Sequence, residues 1–132
     1  MSKRTWISLF AACAFCLTVA HARPALAAPT APAAADATLA RMIEAVKAES
    51  YDAFLVDADA RLKQQLSRQQ FEGMCGLYTK QLKKGYTLEY FGQLRQRGMA
   101  VYIWKIAVLG AQDEGLLKMV MKDGKVAAFA VN

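Results

Sequence analysis

Carboxylates and tyrosines are the side chains of this sequence that could do acid/base chemistry. A carboxylic acid buried beside a phenol can transfer protons as isomerases do, because burial raises the pKa of the acid and the phenol stabilises an oxyanion. The only histidine, His21, lies near the N-terminus, so the commonest general base is lacking in the rest of the chain. The candidates are the carboxylates Asp52, Asp57, Asp59 and Glu89 and the tyrosines Tyr51, Tyr78, Tyr90 and Tyr102.

The spacing of these residues does not demand catalysis, and the three aspartates are interpreted as helix caps and solvated loop residues. Asp57-Ala58-Asp59 lacks the further ligands and the glycine of a calcium loop. Cys75 follows an apolar helical stripe and is predicted to be a small core residue rather than a nucleophile. The sequence therefore predicts no catalytic residue, no metal site and no cofactor.

Residues 1–27 have the order of a secretory signal peptide. Lys3 and Arg4 precede an apolar stretch, and Ala-x-Ala sites permit cleavage after Ala22 or, preferably, after Ala27. The alternatives are an uncleaved membrane anchor, for which the apolar stretch falls short of the ~20 residues that span a bilayer, and a lipoprotein anchored at Cys13. We expect an exported protein, periplasmic or secreted, without a stable membrane anchor.

Cleavage changes the charge and the cysteine count. The 132 residues carry a formal charge of +6, and removal of three of the 17 basic residues leaves 14 against 11 acidic residues, or +3. That small excess is not the strongly basic footprint of a nucleic-acid-binding protein, so no nucleic-acid partner is predicted. Cys75 is the one cysteine beyond the signal, so an internal disulfide is excluded and the exported domain depends on its core.

Helices are predicted in the first half of the chain, after an Ala/Pro-rich linker at 28–37. A first helix is expected at 37–49, and the segment 53–66 is expected to form one or two short helices. Ser67 and Gln70 match a capping box that opens a third helix, which should end at Gly85.

Four strands follow, at 86–96, 99–109, 116–121 and 125–131. They are joined at Arg97-Gly98, at the sequence GAQDEG and at Asp123-Gly124, and connections this short make neighbouring strands antiparallel. The predicted fold class is α+β, with about three N-terminal helices packed on one face of a four-stranded antiparallel meander, in a single domain at 38–132.

This order of elements resembles the small exported members of the nuclear transport factor 2-like, or cystatin-like, superfamily. The features that carry the resemblance are the Lys-Lys-Gly-Tyr sequence that ends the helices, the aromatic strand Val101-Tyr102-Ile103-Trp104-Lys105 and the terminal sequence KDGKV. The resemblance implies a curved sheet, backed by helices, that forms a cone enclosing a pocket. Because the superfamily includes isomerases, dehydratases, transport factors and uncharacterised domains, it does not select a function.

A two-residue turn at Arg97-Gly98 predicts the faces of the first two strands. The predicted core face carries Leu88, Tyr90, Leu94, Val101, Ile103 and Ala107, and the opposite face carries Thr87, Glu89, Phe91, Gln93, Arg95, Tyr102, Trp104 and Ile106. Exposed aromatic surface often marks a binding site, so the binding candidates are Glu89, Phe91, Arg95, Tyr102 and Trp104. The alternative is a register slip of one residue, which exchanges the faces and buries the aromatic side chains.

The predicted function is that of an exported, non-catalytic accessory or binding domain. Its partner is a small molecule in the cone, another protein, or a second copy bound through the sheet. The alternative is a small isomerase- or dehydratase-like enzyme, which needs a carboxylate, Glu89 first, buried in a pocket within reach of a tyrosine. A third possibility is association with anionic surfaces through the basic helix residues Arg61, Lys63, Arg68, Lys80, Lys83 and Lys84.

Overall fold

The computed structural model describes residues 26–132, so all but the last two residues of the predicted signal peptide lie outside the described part of the chain. Four helices precede four strands, which confirms the α+β class. The helices are α1 (Ala33–Lys47), α2 (Tyr51–Phe54), α3 (Ala60–Gln65) and α4 (Arg68–Lys84). The strands are β1 (Tyr86–Gln96), β2 (Met99–Val108), β3 (Glu114–Lys122) and β4 (Lys125–Val131).

Local capping sets most helix starts. The capping box of α4 is present: the Ser67 hydroxyl accepts from the Gln70 backbone N–H at 3.2 Å, and the Gln70 side chain accepts from the Ser67 N–H at 2.8 Å. Helix α1 begins four residues earlier than predicted, within the Ala/Pro-rich segment. Its Ala35 is 2% exposed, because so small a side chain fits closely against the core.

The sheet is an antiparallel meander in the order β1-β2-β3-β4. Both predicted two-residue turns are present, at Arg97-Gly98 and Asp123-Gly124, and the four residues have φ angles of 50°, 77°, 50° and 73°. Positive φ at both central positions belongs to the turn whose twist matches that of the flanking strands. Gln96 pairs with Met99 and Lys122 with Lys125, as these turns require.

A β-bulge in β1 overturns the predicted faces of β2 and of the part of β1 next to the Arg97-Gly98 turn, whereas Leu88 and Tyr90 lie on the core face as predicted. Gly92 pairs with Ile103 and Tyr90 with Trp104, so Phe91 is an extra residue with no partner on β2. On the side of the bulge away from the Arg97-Gly98 turn, Leu88 and Tyr90 lie on the face that carries Trp104. This face packs on the helices. The prediction that Trp104 lies on the outer face is therefore wrong, since its side chain is 1% exposed.

The core lies between the helices and this inner face of the sheet. Thr79 of α4 donates a buried hydrogen bond of 2.9 Å to the Val46 carbonyl of α1, which joins the two long helices. At the β4 edge, the Asp59 N–H donates to the Val126 carbonyl and the Val126 N–H donates to the Asp57 carbonyl, both at 2.8 Å. The side chains that are most completely buried are Trp104, Phe54, Phe71, Leu39, Met42, Met119 and Val126.

Trp104→Ala should lower the free energy of unfolding by about 3–5 kcal/mol, because it leaves a large cavity in the core. Trp104→Phe keeps an aromatic ring and should cost less than Trp104→Ala. Leu94→Ala, on the outer face and 40% exposed, should cost less than about 1 kcal/mol. Denaturant titration measures all three, and equal losses for Trp104→Ala and Leu94→Ala would contradict the face assignment.

Candidate functional site

A cavity of about 280 Å³ lies between the long helices and the inner face of the sheet. We call it the α4 cavity. Its walls come from five elements and are mainly apolar, which suits a pocket for a small molecule. The apolar wall residues are Ile43, Val46, Met74, Leu82, Ile106, Val108, Leu117, Phe129 and Val131.

Polar side chains lie on the solvent side of the α4 cavity. Tyr78 and Gln81 come from α4, three residues apart and hence on one face of the helix. Asp113, in the loop before β3, and Asn132, which follows β4, also line the cavity and are exposed, as is Gln81. Glu114, the first residue of β3, is among the lining residues too, but its carboxylate lies on the outer face of the sheet beside Lys105. The cavity therefore has an apolar interior and a polar, solvent-exposed rim.

Glu89, the first candidate for a general base, lies on the outer face of the sheet. Its carboxylate is 2.7 Å from the Lys105 Nζ, which is also 3.3 Å from the carboxylate of Glu114. Both bonds raise the pKa of Lys105, and the bond to Glu89 makes the larger contribution. Glu89 is thus engaged in a surface ion network on the face opposite the helices.

The structure does not bring the five predicted binding residues together. Trp104 is buried, and Tyr102 is half-buried against the same core. Arg95 and Tyr102 line one open groove near the β-turns, whereas Phe91 is 51% exposed at the bulge. The residues predicted to form one aromatic surface are divided between the core, the bulge in the middle of β1 and the groove near the β-turns. Whether any of them binds a ligand stays a prediction.

The Trp104 indole N–H is buried and has no hydrogen-bond acceptor among residues 26–132. The rings of Tyr90 and Tyr102 pack against it, with centroids 5.5 and 6.0 Å from that of Trp104. Burial raises the pKa of Tyr90, with a smaller contribution from Tyr102. This cluster fills the inner face of the sheet outside the α4 cavity.

The three candidate aspartates have structural partners, as the sequence indicated. Asp59 caps α3 by accepting from the Leu62 N–H at 2.8 Å. Asp57 accepts a charged hydrogen bond of 2.7 Å from Arg41, and Asp52 lies 3.6 Å from Arg68. Among residues 26–132, no group of three or more histidine, cysteine, aspartate or glutamate side chains is arranged to hold a metal ion.

The entrance of the α4 cavity was not identified from the sequence. Tyr78 was a candidate, but Gln81, Asp113 and Glu114 were not. The available signal was the acidic pair inside the sequence GAQDEG, which joins two strands and so must lie at an end of the sheet. That end faces α4 only because of the way in which the helices pack.

Comparison with known proteins gives similarity of fold only. No protein-family model matches the chain, and a search of curated proteins finds no match either. Similar solved structures include a nuclear transport factor 2-like protein of unknown function from Cytophaga hutchinsonii, with 11% identity and a TM-score of 0.41 over 78% of this chain and 91% of that one.

Two further structures are similar to the same degree. An uncharacterised cystatin-fold protein from Novosphingobium aromaticivorans shares 7% identity and a TM-score of 0.41, over 73% of this chain and 95% of that one. TerC, crystallised with polyporic acid, has 11% identity and a TM-score of 0.44, over 75% of this chain and 90% of TerC. The Cytophaga and Novosphingobium proteins have the fold names of the superfamily that the order of elements resembles. Identities and TM-scores this low carry no information about activity.

The helices do not include a membrane span: none within residues 26–132 is long and apolar enough to cross a bilayer.

Cys75 should be protected from alkylation in the folded protein. Its side chain is 4% exposed, and burial raises the pKa of the thiol, so little thiolate is accessible at neutral pH. Iodoacetamide labelling followed by peptide mass analysis should be at least about tenfold slower at Cys75 in native than in unfolded protein. A Lys80→Cys variant provides an exposed thiol on the same helix, and labelling of Cys75 as fast as of that thiol would contradict its place in the core.

Proposed function

We propose that this protein is an exported, non-catalytic binding domain that holds a small, largely apolar molecule in the α4 cavity. The observation that carries the proposal is the cavity itself: about 280 Å³ bounded by apolar side chains from two helices and three strands. A polypeptide normally fills such a space with side chains, since empty apolar volume costs packing energy. Export rests on the predicted signal peptide.

The size of the cavity limits the ligand. At the ~30 Å³ that one water molecule takes in the liquid, the cavity has room for about ten non-hydrogen atoms. Each methylene group that leaves water contributes about 0.8 kcal/mol to binding. A linear molecule of about eight carbons therefore fits the volume and gains enough from burial to be measurable.

The enzyme alternative has weaker support. It requires a carboxylate buried in a pocket near a tyrosine, and Glu89 lies on the outer face, bonded to Lys105. Asp113 and Glu114 line the α4 cavity with Tyr78, but both are exposed to solvent, so neither is the buried carboxylate that this alternative requires.

Octanol should bind in the α4 cavity, and Ala111→Trp should weaken its binding at least about tenfold, because an indole at this exposed lining position blocks the entrance. Binding is followed in the intact protein by NMR of the methyl groups of Val108 and Val131. Ala37→Trp, an exposed position on α1 outside the cavity lining, is the matched control and should leave octanol binding unchanged. Unaltered affinity in Ala111→Trp would place the ligand elsewhere.

We also propose that the outer face of the sheet is where a second copy binds. Leu94 pairs with Val101, which pairs in turn with Val120, so an apolar row crosses this face. Val101 is buried, and the accessible part of the row is Leu94, which is 40% exposed, and the half-buried Val120. Exposed apolar surface favours association.

Leu94→Glu should convert a dimer to a monomer, because it places a charge in that apolar row. Analytical ultracentrifugation at matched concentrations measures the mass. Ala37→Glu, an exposed position on α1, makes the same change of charge away from the sheet and should leave the dimer intact. A parent protein that is monomeric throughout, or a Leu94→Glu dimer, would refute the proposal.

A further inference from the structure

Two tight turns lie together at one end of the sheet. Ala100, next to the Arg97-Gly98 turn, pairs with Met121, next to the Asp123-Gly124 turn. An open groove at this end is lined by residues from both hairpins, including two cations. The exposed basic side chains around the turns are Arg95, Arg97, Lys122 and Lys125, of which the first and third line the groove.

A fifth basic side chain adjoins these turns from α3. The Asp59 N–H donates to the Val126 carbonyl at 2.8 Å, so α3 begins beside the residue that follows Lys125. Arg61 is the second residue of α3 and is exposed. We call the set of five the basic end of the protein; it consists of Arg61, Arg95, Arg97, Lys122 and Lys125.

The cations of the basic end have no ionic partners within the described chain. None of the five takes part in an ion pair among residues 26–132. Lys122 pairs directly with Lys125 across the β3–β4 hairpin, and like charges opposite each other on neighbouring strands repel. An anionic partner relieves this repulsion.

Acidic side chains offset only part of this charge. Asp123 lies in the second turn, Asp59 caps α3, and Asp57 beside them is paired with Arg41 at 2.7 Å. Residues 26–132 carry 14 basic and 11 acidic residues. The basic end holds five of the former together with Asp59 and Asp123, which leaves nine of each for the rest of the described chain. The whole excess of positive charge therefore lies at one end.

The N-terminal segment enters the fold at the basic end. Pro32, Ala34 and Ala35, at the start of α1, line the same groove as Arg95 and Lys122. Residues 28–32, which separate α1 from the predicted signal peptide, span at most about 20 Å when extended. A bilayer that holds the signal peptide is therefore close to the basic end.

We infer that the basic end binds the surface of an anionic lipid bilayer. Each lysine or arginine near such a surface strengthens binding about fivefold. The five exposed cations are spread over two turns and the start of α3, an arrangement that suits an extended charged surface better than one small anion. The lining of the α4 cavity does not include them, so the inference is independent of the proposed function.

The test compares binding to two kinds of vesicle, one of phosphatidylcholine alone and one of equal parts phosphatidylcholine and phosphatidylglycerol. Sedimentation of the intact protein with each gives two partition coefficients, and their ratio cancels any apolar contribution from the N-terminal residues. At about 0.1 M salt this ratio of anionic to neutral binding should be at least about thirtyfold. It should fall toward one at about 1 M salt, where charges are screened beyond about 3 Å.

Arg97→Asn/Lys122→Gln/Lys125→Gln should lower the ratio at least about tenfold, because it removes three positive charges from the basic end. Asparagine accepts the positive φ of position 97, so the first turn is retained. The two glutamines also remove the repulsion between Lys122 and Lys125, so the variant is expected to fold.

Lys80→Gln/Lys83→Gln/Lys84→Gln is the matched control. It removes the same net charge from exposed positions on α4. It should lower the ratio less than about threefold, because these lysines lie outside the basic end.

Three outcomes would overturn the inference. A ratio near one for the intact protein shows that anionic lipid is not preferred. A loss in the α4 control as large as in the basic-end variant shows that binding follows net charge or the α4 lysines. If heparin, a soluble polyanion, binds at the same salt concentration while anionic vesicles do not, the partner is an anionic polymer rather than a bilayer.

Discussion

The bulge at Phe91 is the constraint on which the arrangement of the sheet depends. Side chains alternate between the two faces of a strand, so one extra residue exchanges the faces for everything beyond it. Gly92, with φ of 147°, accepts a backbone conformation that is strained for other residues. The bulge places Tyr90 with Trp104 in the core, and it places Glu89 outside, beside Lys105. Without it, the carboxylate of Glu89 would be on the face that packs against the helices, where an unpaired charge is very costly.

The core and the cavity share the inner face of the sheet. Near Tyr90, Tyr102 and Trp104, large aromatic rings fill the space under α1 and leave only the indole N–H without a partner among residues 26–132. Toward the β2–β3 loop, the inner-face positions carry smaller side chains, and Gly115 lies opposite Ile106. The decrease in side-chain volume along the sheet leaves the α4 cavity, so the space arises from the order of large and small residues on β2 and β3.

The polar groups differ by position in whether they have partners within the protein. Three hydrogen bonds engage polar side chains within the protein: Arg41 to Asp57, Thr79 to the Val46 carbonyl, and the Leu62 N–H to Asp59 at the start of α3. Asp113, which takes part in no ion pair within the described chain, lies instead at an entrance to apolar space.

The sequence by itself determined what depends on a few consecutive residues. Local backbone geometry predicts the Arg97-Gly98 and Asp123-Gly124 turns, the capping box of α4 and the cap of α3 by Asp59. Local apolar periodicity predicts the bounds of β1 and β4 and the place of Cys75 in the core. The tertiary structure alone decided which face of the sheet meets the helices, because a single bulge residue reverses it and Phe91-Gly92 is only a weak signal of one. It also decided the site: Tyr78 and Asp113 are 35 positions apart in the sequence, and only the packing of α4 over the sheet brings them to one cavity.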